Sequence, residues 1–464
     1  MQSNNLTEAY PMVGGNDAYS YAQNSTYQRG VVDAAKELIS EAIADKLDLK
    51  ILGFDDTLKP FKIADLGCSV GPNTLLAVQN IIEAIELKFQ RTTNLHQKPS
   101  ALEFQVFLND HSDNDFNTLF KSLPHARKYF AAGVPGSFHS RLFPRSSIHF
   151  VHTSYALHWL SKVPKEIVDP CSPAWNKGSI QCSESNIEVV RAYSTQYKND
   201  MESFLNARAE ELVPGGLMVL ILAAVVPDGI PLSNSYVGVF NNILGSCFND
   251  LAKMGVLSEE KVDSFNLPTY NATPKELEAI IRTNGNFTIE KMEKLSQPRR
   301  RITANEYASG IRAGIDGLIK KHFGDEFVDE IFNYFTTKVE ENYSIIEEKI
   351  RNMRWPYHLF NFLENVSGVT TAPKSTVKPV AITMKNQSVS SLEVDAEDGN
   401  SLEFVWQLFI NGGPHNPWSP TCLQKKLAEM IGGCSLRDPM TISFMFAKAI
   451  GMEPVRALCD KFKP

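Results

Sequence analysis

Short apolar runs alternate with amphipathic stretches through the first half of the chain. Several runs lack polar alternation, which is typical of strands covered on both faces. Apolar residues at helical spacing predict helices over Asn73–Lys88 and Asn199–Leu212. The predicted strands are Lys62–Leu66, Glu103–Leu108, Tyr129–Val134, Ile148–His152 and Leu217–Val226. This order predicts an α/β fold, with a parallel sheet and crossover helices.

The pattern changes after residue 226, where helical spacing dominates. The predicted helices there are Tyr236–Lys253, Thr273–Thr283, Ala304–Lys321 and Asp325–Asn342. We therefore expect one domain over 1–352, with the sheet at about 60–226 and a helical cap at 227–350. Residues 353–400 are rich in Ser, Thr, Lys and Pro and predict a partly disordered linker. Residues 401–464 form a C-terminal extension to which the sequence assigns no fold.

Composition and charge narrow the function classes. The 464 residues include 43% hydrophobic and 21% charged types with a net charge of −7, which argues against a nucleic-acid partner. The seven cysteines are scattered without a CxxC pair, so no disulfide framework or zinc ribbon is predicted. The N-terminus lacks a signal-peptide pattern, and the apolar run 217–227 is shorter than the roughly 20 residues of a membrane span. We expect a cytoplasmic protein with no membrane partner.

A strand, a glycine-bearing turn and a helix follow one another over Ile63–Asn73. Gly67 permits a tight turn and Gly71 keeps side chains out of the adjoining space, although the spacing is not the GxGxxG dinucleotide fingerprint. The next predicted strand is followed by Asp110, and an acid at this end of a sheet can accept both hydroxyls of a ribose. Together these features suggest an adenosine-type cofactor. A turn required only for packing and a capping role for Asp110 are the alternatives.

Longer ordered motifs carry a resemblance to a known family. The chain resembles the plant SABATH family of S-adenosylmethionine-dependent methyltransferases, which methylate carboxylic acids and, in one branch, xanthine nitrogens. The likeness covers roughly residues 10–350 and implies a Rossmann-like class I methyltransferase sheet with a helical cap. The motifs are Met12–Gly15, Ser20–Ser25, Tyr27–Arg29, Ile63–Asn73, Phe107–Asp110, Asn114–Asn117, Gly133–Phe138, Arg141–Pro144, His152–Ser161, Val213–Gly216, Asp263–Asn266 and His322–Asp325.

The resemblance implies S-adenosylmethionine as the cofactor and assigns its site by position. Tyr21 and Ser25 would close over its amino-acid end, and Asp110 would hold its ribose. The other implied contacts are Cys68, Asn73, His111, Ser137 and Phe138. Phe138 would stack on the adenine, with core packing as the alternative. His111 stands where relatives often have an apolar Leu that touches the adenine ring.

The resemblance also implies an acceptor site for a small carboxylic acid. Gln28 and Trp159 match the pair whose amide and indole N–H groups hold the carboxylate, and His158 would add a contact. A carboxylic acid is already ionised at neutral pH, so no catalytic acid–base residue is expected. A Mg²⁺ site is implied at Asn176, Asp263, the Phe265 backbone and Asn266. A hydrogen-bonded loop contact without metal is the alternative.

One departure from the family concerns the end of the sheet. Relatives finish with a strand after the last cap helix, whereas this chain has Pro356 there, a poor residue for the inside of a sheet. The sequence therefore predicts that this strand is missing or replaced. It leaves open a catalytically weak or inactive ligand-binding relative with a fused C-terminal module, and an N-methyltransferase of a purine-like base. A homodimer is also left open.

Overall fold

The helices and strands form an α/β domain. The computed structural model describes residues 10–54, 59–92, 101–182, 186–225, 236–295, 303–344, 346–347 and 357–367. The strands are β1 (Phe61–Leu66), β2 (Phe104–Asp110), β3 (Tyr129–Pro135), β4 (Ile148–Ser154), β5 (Leu212–Val225), β6 (Phe287–Leu295) and β7 (Tyr357–Asn365). The helices are α1 (Tyr21–Asn24), α2 (Thr26–Lys46), α3 (Pro72–Thr92), α4 (Phe116–Lys121), α5 (Ile187–Glu211), α6 (Tyr236–Lys253), α7 (Glu259–Ser264), α8 (Pro274–Asn284), α9 (Ala304–Phe323) and α10 (Val328–Glu341).

The described strands form one sheet in the order β3-β2-β1-β4-β5-β7-β6. β1 pairs in parallel with β2 on one side and β4 on the other, and the chain order reverses at β1. Ligands of open α/β sheets bind outside the carboxyl ends of the strands at such a reversal. The predicted α/β class and its five strands are confirmed, although β5 begins at Leu212 rather than Leu217. The sequence did not predict α2 or β6.

The expectation that the final strand is missing was wrong. β7 begins at Tyr357, the residue after Pro356, and runs antiparallel between β5 and β6. A proline removes only its own backbone donor, so a strand that starts one residue later keeps its full ladder. Phe360 and Phe362 are fully buried, which makes β7 part of the core. β7 lies within residues 353–400, which the sequence composition predicted to be a linker. Most of this stretch and all of residues 401–464 lie outside the described residues.

The sheet separates two hydrophobic cores. On one face Ile63 packs with residues of α2 and α3, and on the other the adjacent Ala64 packs with residues of α5 and α8. This alternation follows from the two-residue period of a strand. A third core joins α6, α7, α9 and α10 into the predicted helical cap. None of the described helices has the length and hydrophobicity of a membrane span.

Removal of β7 should abolish folding. A chain truncated after Asn352 exposes the edges of β5 and β6 and loses the buried side chains of β7, so we expect little soluble protein and no cooperative thermal transition by circular dichroism. The control is a chain truncated after Val369, the last residue of the first compact unit, which keeps the whole sheet. Equal thermal midpoints for the two truncations would contradict this prediction.

Candidate active site

The glycine turn lies between β1 and α3 and is crowded on both sides. Gly67 has a φ of +77°, and a Cβ there would lie 2.5 Å from the Cβ of Ala156. Gly71 has a φ of +105°, and a Cβ there would lie 2.9 Å from the Cα of Ala22. Both positions therefore require glycine for conformation and for space. The chain's own N-terminal segment occupies the space that the sequence predicted Gly71 to keep clear.

Asp110 meets the glycine turn because β1 and β2 are parallel neighbours whose carboxyl ends coincide. Its Oδ2 accepts a hydrogen bond from the Ser69 N–H at 2.7 Å, and its Oδ1 accepts one from the His111 N–H at 2.8 Å. Burial raises the pKa of this carboxyl, although the two backbone donors oppose the shift. Burial and the nearby charge of Asp110 also raise the pKa of the Tyr21 hydroxyl, which keeps that group neutral. Each Asp110 oxygen retains a lone pair for a ligand hydroxyl.

Asn73 connects the glycine turn to the N-terminal segment. Its amide nitrogen donates to the Ser25 carbonyl oxygen at 3.1 Å and to the Ser25 Oγ at 2.9 Å. Ser25 precedes α2 without making a side-chain cap hydrogen bond to it. The structure therefore brings together Tyr21, Ser25, Cys68, Asn73 and Asp110 at one end of the sheet.

Residues 10–25 cross from the sheet to the cap. The Gly15 N–H donates to Asp115 Oδ2 at 2.9 Å, beside the sheet. The Val13 N–H donates to the Ala313 carbonyl oxygen at 2.9 Å, on α9. The Arg312 guanidinium lies 3.8 Å from the ring centroid of Tyr19. The sequence did not identify Asp115 or Arg312 as anchors, and only the Asn114–Asn117 motif gave a signal for the first.

Two unsatisfied polar atoms lie at the glycine turn. The Ser69 Oγ and the Asn114 Oδ1 are buried without a hydrogen-bond partner, and the Asn114 amide nitrogen donates to the Ser69 carbonyl at 3.2 Å. Buried polar atoms normally have partners. These two residues are therefore candidates for binding the polar end of a ligand, and neither was singled out from the sequence.

Ser137 and Phe138 follow β3 and lie beside Asp110. The Gly136 N–H donates to the Asp110 carbonyl at 2.9 Å, and the buried Arg208 guanidinium donates to the Phe138 carbonyl at 2.8 Å. The Phe138 side chain is 7% exposed and meets Phe204 edge-on, with 6.3 Å between ring centroids. The ring thus packs largely in the core, and its contact with adenine stays a prediction.

The residues predicted to bind the methyl acceptor lie among aromatic rings, and two of them carry a buried polar atom without a hydrogen-bond partner. Gln28 lies in the first turn of α2, and its Oε1 is buried without a partner. His158 and Trp159 follow β4, and the His158 Nδ1 is likewise buried without a partner. Tyr10 stacks on the Trp159 ring at 6.0 Å between centroids, and burial lowers the pKa of His158 to about 4.

The predicted metal residues do not offer a free set of oxygen ligands. The Asn176 amide nitrogen donates to the Asn266 Oδ1 at 2.6 Å, and the Tyr193 hydroxyl donates to the same oxygen at 3.3 Å. The Asp263 carboxylate lies 3.5 Å from the Lys177 ammonium. The Phe265 N–H donates to the Val262 carbonyl. Mg²⁺ prefers several oxygen ligands in octahedral geometry, so this hydrogen-bonded contact does not fit the ion, and the site stays a prediction.

Several known proteins resemble this chain along most of its length. A sequence model of the family described as SAM dependent carboxyl methyltransferase matches residues 7–359. Loganic acid O-methyltransferase of Catharanthus roseus is 47% identical over 346 residues, which are 74% of this chain and 92% of the relative. Farnesoic acid carboxyl-O-methyltransferase of Arabidopsis thaliana is 44% identical, over 72% of this chain and 94% of the relative. The 3,7-dimethylxanthine N-methyltransferase of Camellia sinensis is 35% identical, over 71% and 91%.

A solved structure gives the same result. Loganic acid methyltransferase with SAH superimposes with a TM-score of 0.74 at 44% identity, covering 78% of this chain and all of that chain. The resemblance inferred from the motifs is confirmed, together with the class I methyltransferase fold and S-adenosylmethionine as the cofactor. The chain belongs to the SABATH family of S-adenosylmethionine-dependent carboxyl methyltransferases.

Proposed function

We propose that the protein forms the methyl ester of a small hydrophobic or aromatic carboxylic acid. The observation that carries this proposal is the pair of ring contacts of Tyr155 with Tyr27 and with His158, which bring the first turn of α2, with Gln28, and the segment with Trp159 to one site. A carboxylate accepts hydrogen bonds only, so the amide and indole N–H groups complement it. Both donors are uncharged, so they can orient the anion without neutralising it.

The residues around the glycine turn fit the cofactor. The Asp110 carboxylate would accept the ribose hydroxyls, and the unsatisfied Ser69 and Asn114 atoms would meet polar groups of its amino-acid end. S-adenosylmethionine supplies an electrophilic methyl group to a nucleophile. The protein contributes position and exclusion of water, and well-held geometry of this kind can contribute about 7–11 kcal/mol to a barrier.

Aromatic side chains give the acceptor site its hydrophobic character. Tyr155 has a φ of +58° and contacts both Tyr27 and His158 edge-on, with centroid distances of 6.3 and 6.4 Å. Tyr10 covers Trp159. These rings suit an apolar or aromatic acid, and the printed names of two relatives include loganic acid and farnesoic acid, both carboxylic acids.

Methylation of a purine-like nitrogen is the second candidate. It is favoured by the xanthine-methylating relative from Camellia sinensis at 35% identity. A ring N–H has to lose its proton, whereas a carboxylic acid is ionised already. The described part of the site presents a neutral His158, whose buried Nδ1 has no hydrogen-bond partner and can accept a proton. A screen of labelled methyl transfer from S-adenosylmethionine to a panel of carboxylic acids and xanthines separates the two candidates, and binding without any transfer would support an inactive relative.

Replacement of Gln28 by alanine should harm the acceptor more than the cofactor. A hydrogen bond to a charged group contributes about 1.5–3 kcal/mol, so we expect the acceptor KM of Gln28→Ala and of Trp159→Phe to rise about 10- to 100-fold. The Kd for S-adenosylhomocysteine, measured by calorimetry, should stay within about twofold. The control is Gln79→Ala on α3, where the amide nitrogen donates to Glu83 at 3.0 Å on the exposed side of the helix. A large loss of cofactor affinity with an unchanged acceptor KM would contradict the assignment.

The rate should not depend on pH near neutrality. The acceptor carboxylate has a pKa of about 4, and burial lowers the pKa of His158 to about 4, so neither group titrates between pH 6 and 8. We expect kcat/KM to be constant over this range and to fall below about pH 5, where both groups take up protons. The measurement is a kcat/KM profile in buffers of constant ionic strength. A unit slope between pH 6 and 8 would instead indicate a general base.

Removal of divalent cations should leave the activity unchanged. Asn176 donates to Asn266, and Asp263 lies beside the Lys177 ammonium, so these contacts do not require an ion. We expect the same rate before and after dialysis against a chelator, with added Mg²⁺ as the matched sample. Loss of activity that Mg²⁺ restores would show that the loop rearranges to bind the metal.

A further inference from the structure

A small cavity of about 10 Å³ lies beside His158. It is lined by His158, Tyr197, Leu222, Tyr270, Asn271, Ala272 and Leu277. A volume of this size accommodates one water molecule or one other non-hydrogen atom. The cavity adjoins the predicted acceptor site, because His158 borders it and is followed directly by Trp159.

Two buried polar atoms of the lining residues have no partner. They are the Nδ1 of His158 and the hydroxyl oxygen of Tyr197, whose side chain is only 1% exposed. The Tyr270 hydroxyl, in contrast, donates to the carboxylate of Glu276 at 3.1 Å. An unsatisfied buried polar group costs about 1–3 kcal/mol. Two such atoms, on two residues that line one small cavity, indicate that a group bound in the cavity completes their hydrogen bonds.

The chemistry of the two atoms indicates which chemical group the cavity binds. Burial lowers the pKa of His158 to about 4 and raises that of the Tyr197 hydroxyl, so both groups are neutral near pH 7. The tyrosine offers a proton, and the imidazole nitrogen accepts or donates one according to its tautomer. A hydroxyl oxygen can both donate and accept, and it satisfies the pair with either tautomer. A carboxylate would bring an unpaired charge against Leu222, Ala272 and Leu277.

We propose that this cavity is a subsite for one hydroxyl group of the acceptor acid, held between the Nδ1 of His158 and the hydroxyl of Tyr197. The inference rests on the proposed function, since it specifies a property of the acceptor. The acceptor is then a hydroxy acid rather than a purely apolar acid. A site whose polar groups would be left unpaired discriminates strongly against the analogue that lacks the hydroxyl.

The test compares acids that differ by one hydroxyl. Benzoate, cyclopentanecarboxylate and octanoate are each compared with the set of their monohydroxy derivatives. The kcat/KM of each acid is measured for the wild type and for Tyr197→Phe. The Kd of each acid in the presence of S-adenosylhomocysteine is measured by calorimetry. In the wild type we expect at least one hydroxy acid to exceed its parent by about tenfold. In Tyr197→Phe this ratio should fall to within about twofold while the values for the parent acid stay unchanged.

The controls separate binding from folding. Tyr334→Phe removes a hydroxyl from the cap, 3.4 Å from Asp250, and should leave the ratio intact. Tyr197→Phe removes an unsatisfied atom, so its thermal midpoint should match that of the wild type. Should this variant fail to fold, Ala272→Val fills part of the same cavity and should lower the ratio in the same way.

The outcomes are distinct. Hydroxy and parent acids of equal affinity and rate in the wild type would overturn the subsite, as would an equal loss for both acids in Tyr197→Phe, which is expected if a water molecule fills the cavity. Esters formed without a hydroxyl preference would leave the carboxyl methylation standing and remove only the subsite. Selective binding of a hydroxy acid without any ester would support the subsite and overturn the proposed function.

Discussion

The hydrogen bonds from the Asn73 amide to Ser25 connect the two halves of the active site. Asn73 belongs to the helix that follows the glycine turn, where the residues predicted to bind the cofactor gather. Ser25 immediately precedes α2, and Gln28 lies three residues further on. The position of Gln28, which we propose binds the acceptor, is therefore set by the same contact that closes the N-terminal segment over the turn. Gly71 permits this contact because a side chain there would collide with Ala22.

The site combines burial with neutral hydrogen-bonding groups. Methyl transfer from a sulfonium to a carboxylate joins opposite charges into neutral products, so the reaction needs alignment and a dry cavity more than proton transfer. Burial keeps Tyr21 and His158 uncharged, and the proposed partners of the anion are an amide and an indole. The carboxylate of Asp110 is the exception, and its two backbone donors stabilise it beside the turn.

The sheet positions these residues through its order of strands. β1 has β2 on one side and β4 on the other, and all three strands are parallel. The segments that follow them therefore converge at the carboxyl end of the sheet. Asp110 reaches the glycine turn for this reason, and His158 and Trp159 follow β4. The far side of the sheet depends on β7, which pairs with both β5 and β6 and whose buried Phe360 and Phe362 belong to the core formed with α2 and α3. The buried pair of Arg208 and Glu211 adds a second constraint, because it holds the segment that carries Phe138.

The sequence by itself determined the α/β class, the strands β1 to β5, the glycine turn and, through the family motifs, the cofactor. Each of these follows from the local spacing of apolar residues or from a motif of consecutive residues. Only the tertiary structure showed that β7 survives Pro356, that Ala22 occupies the space beside Gly71, and that Asn266 shares its oxygen with two donors. It also revealed the unpaired atoms of Ser69, Asn114 and Tyr197. Hydrogen-bond satisfaction depends on groups far apart in the chain, and hydrophobic periodicity carries no information about which of them meet.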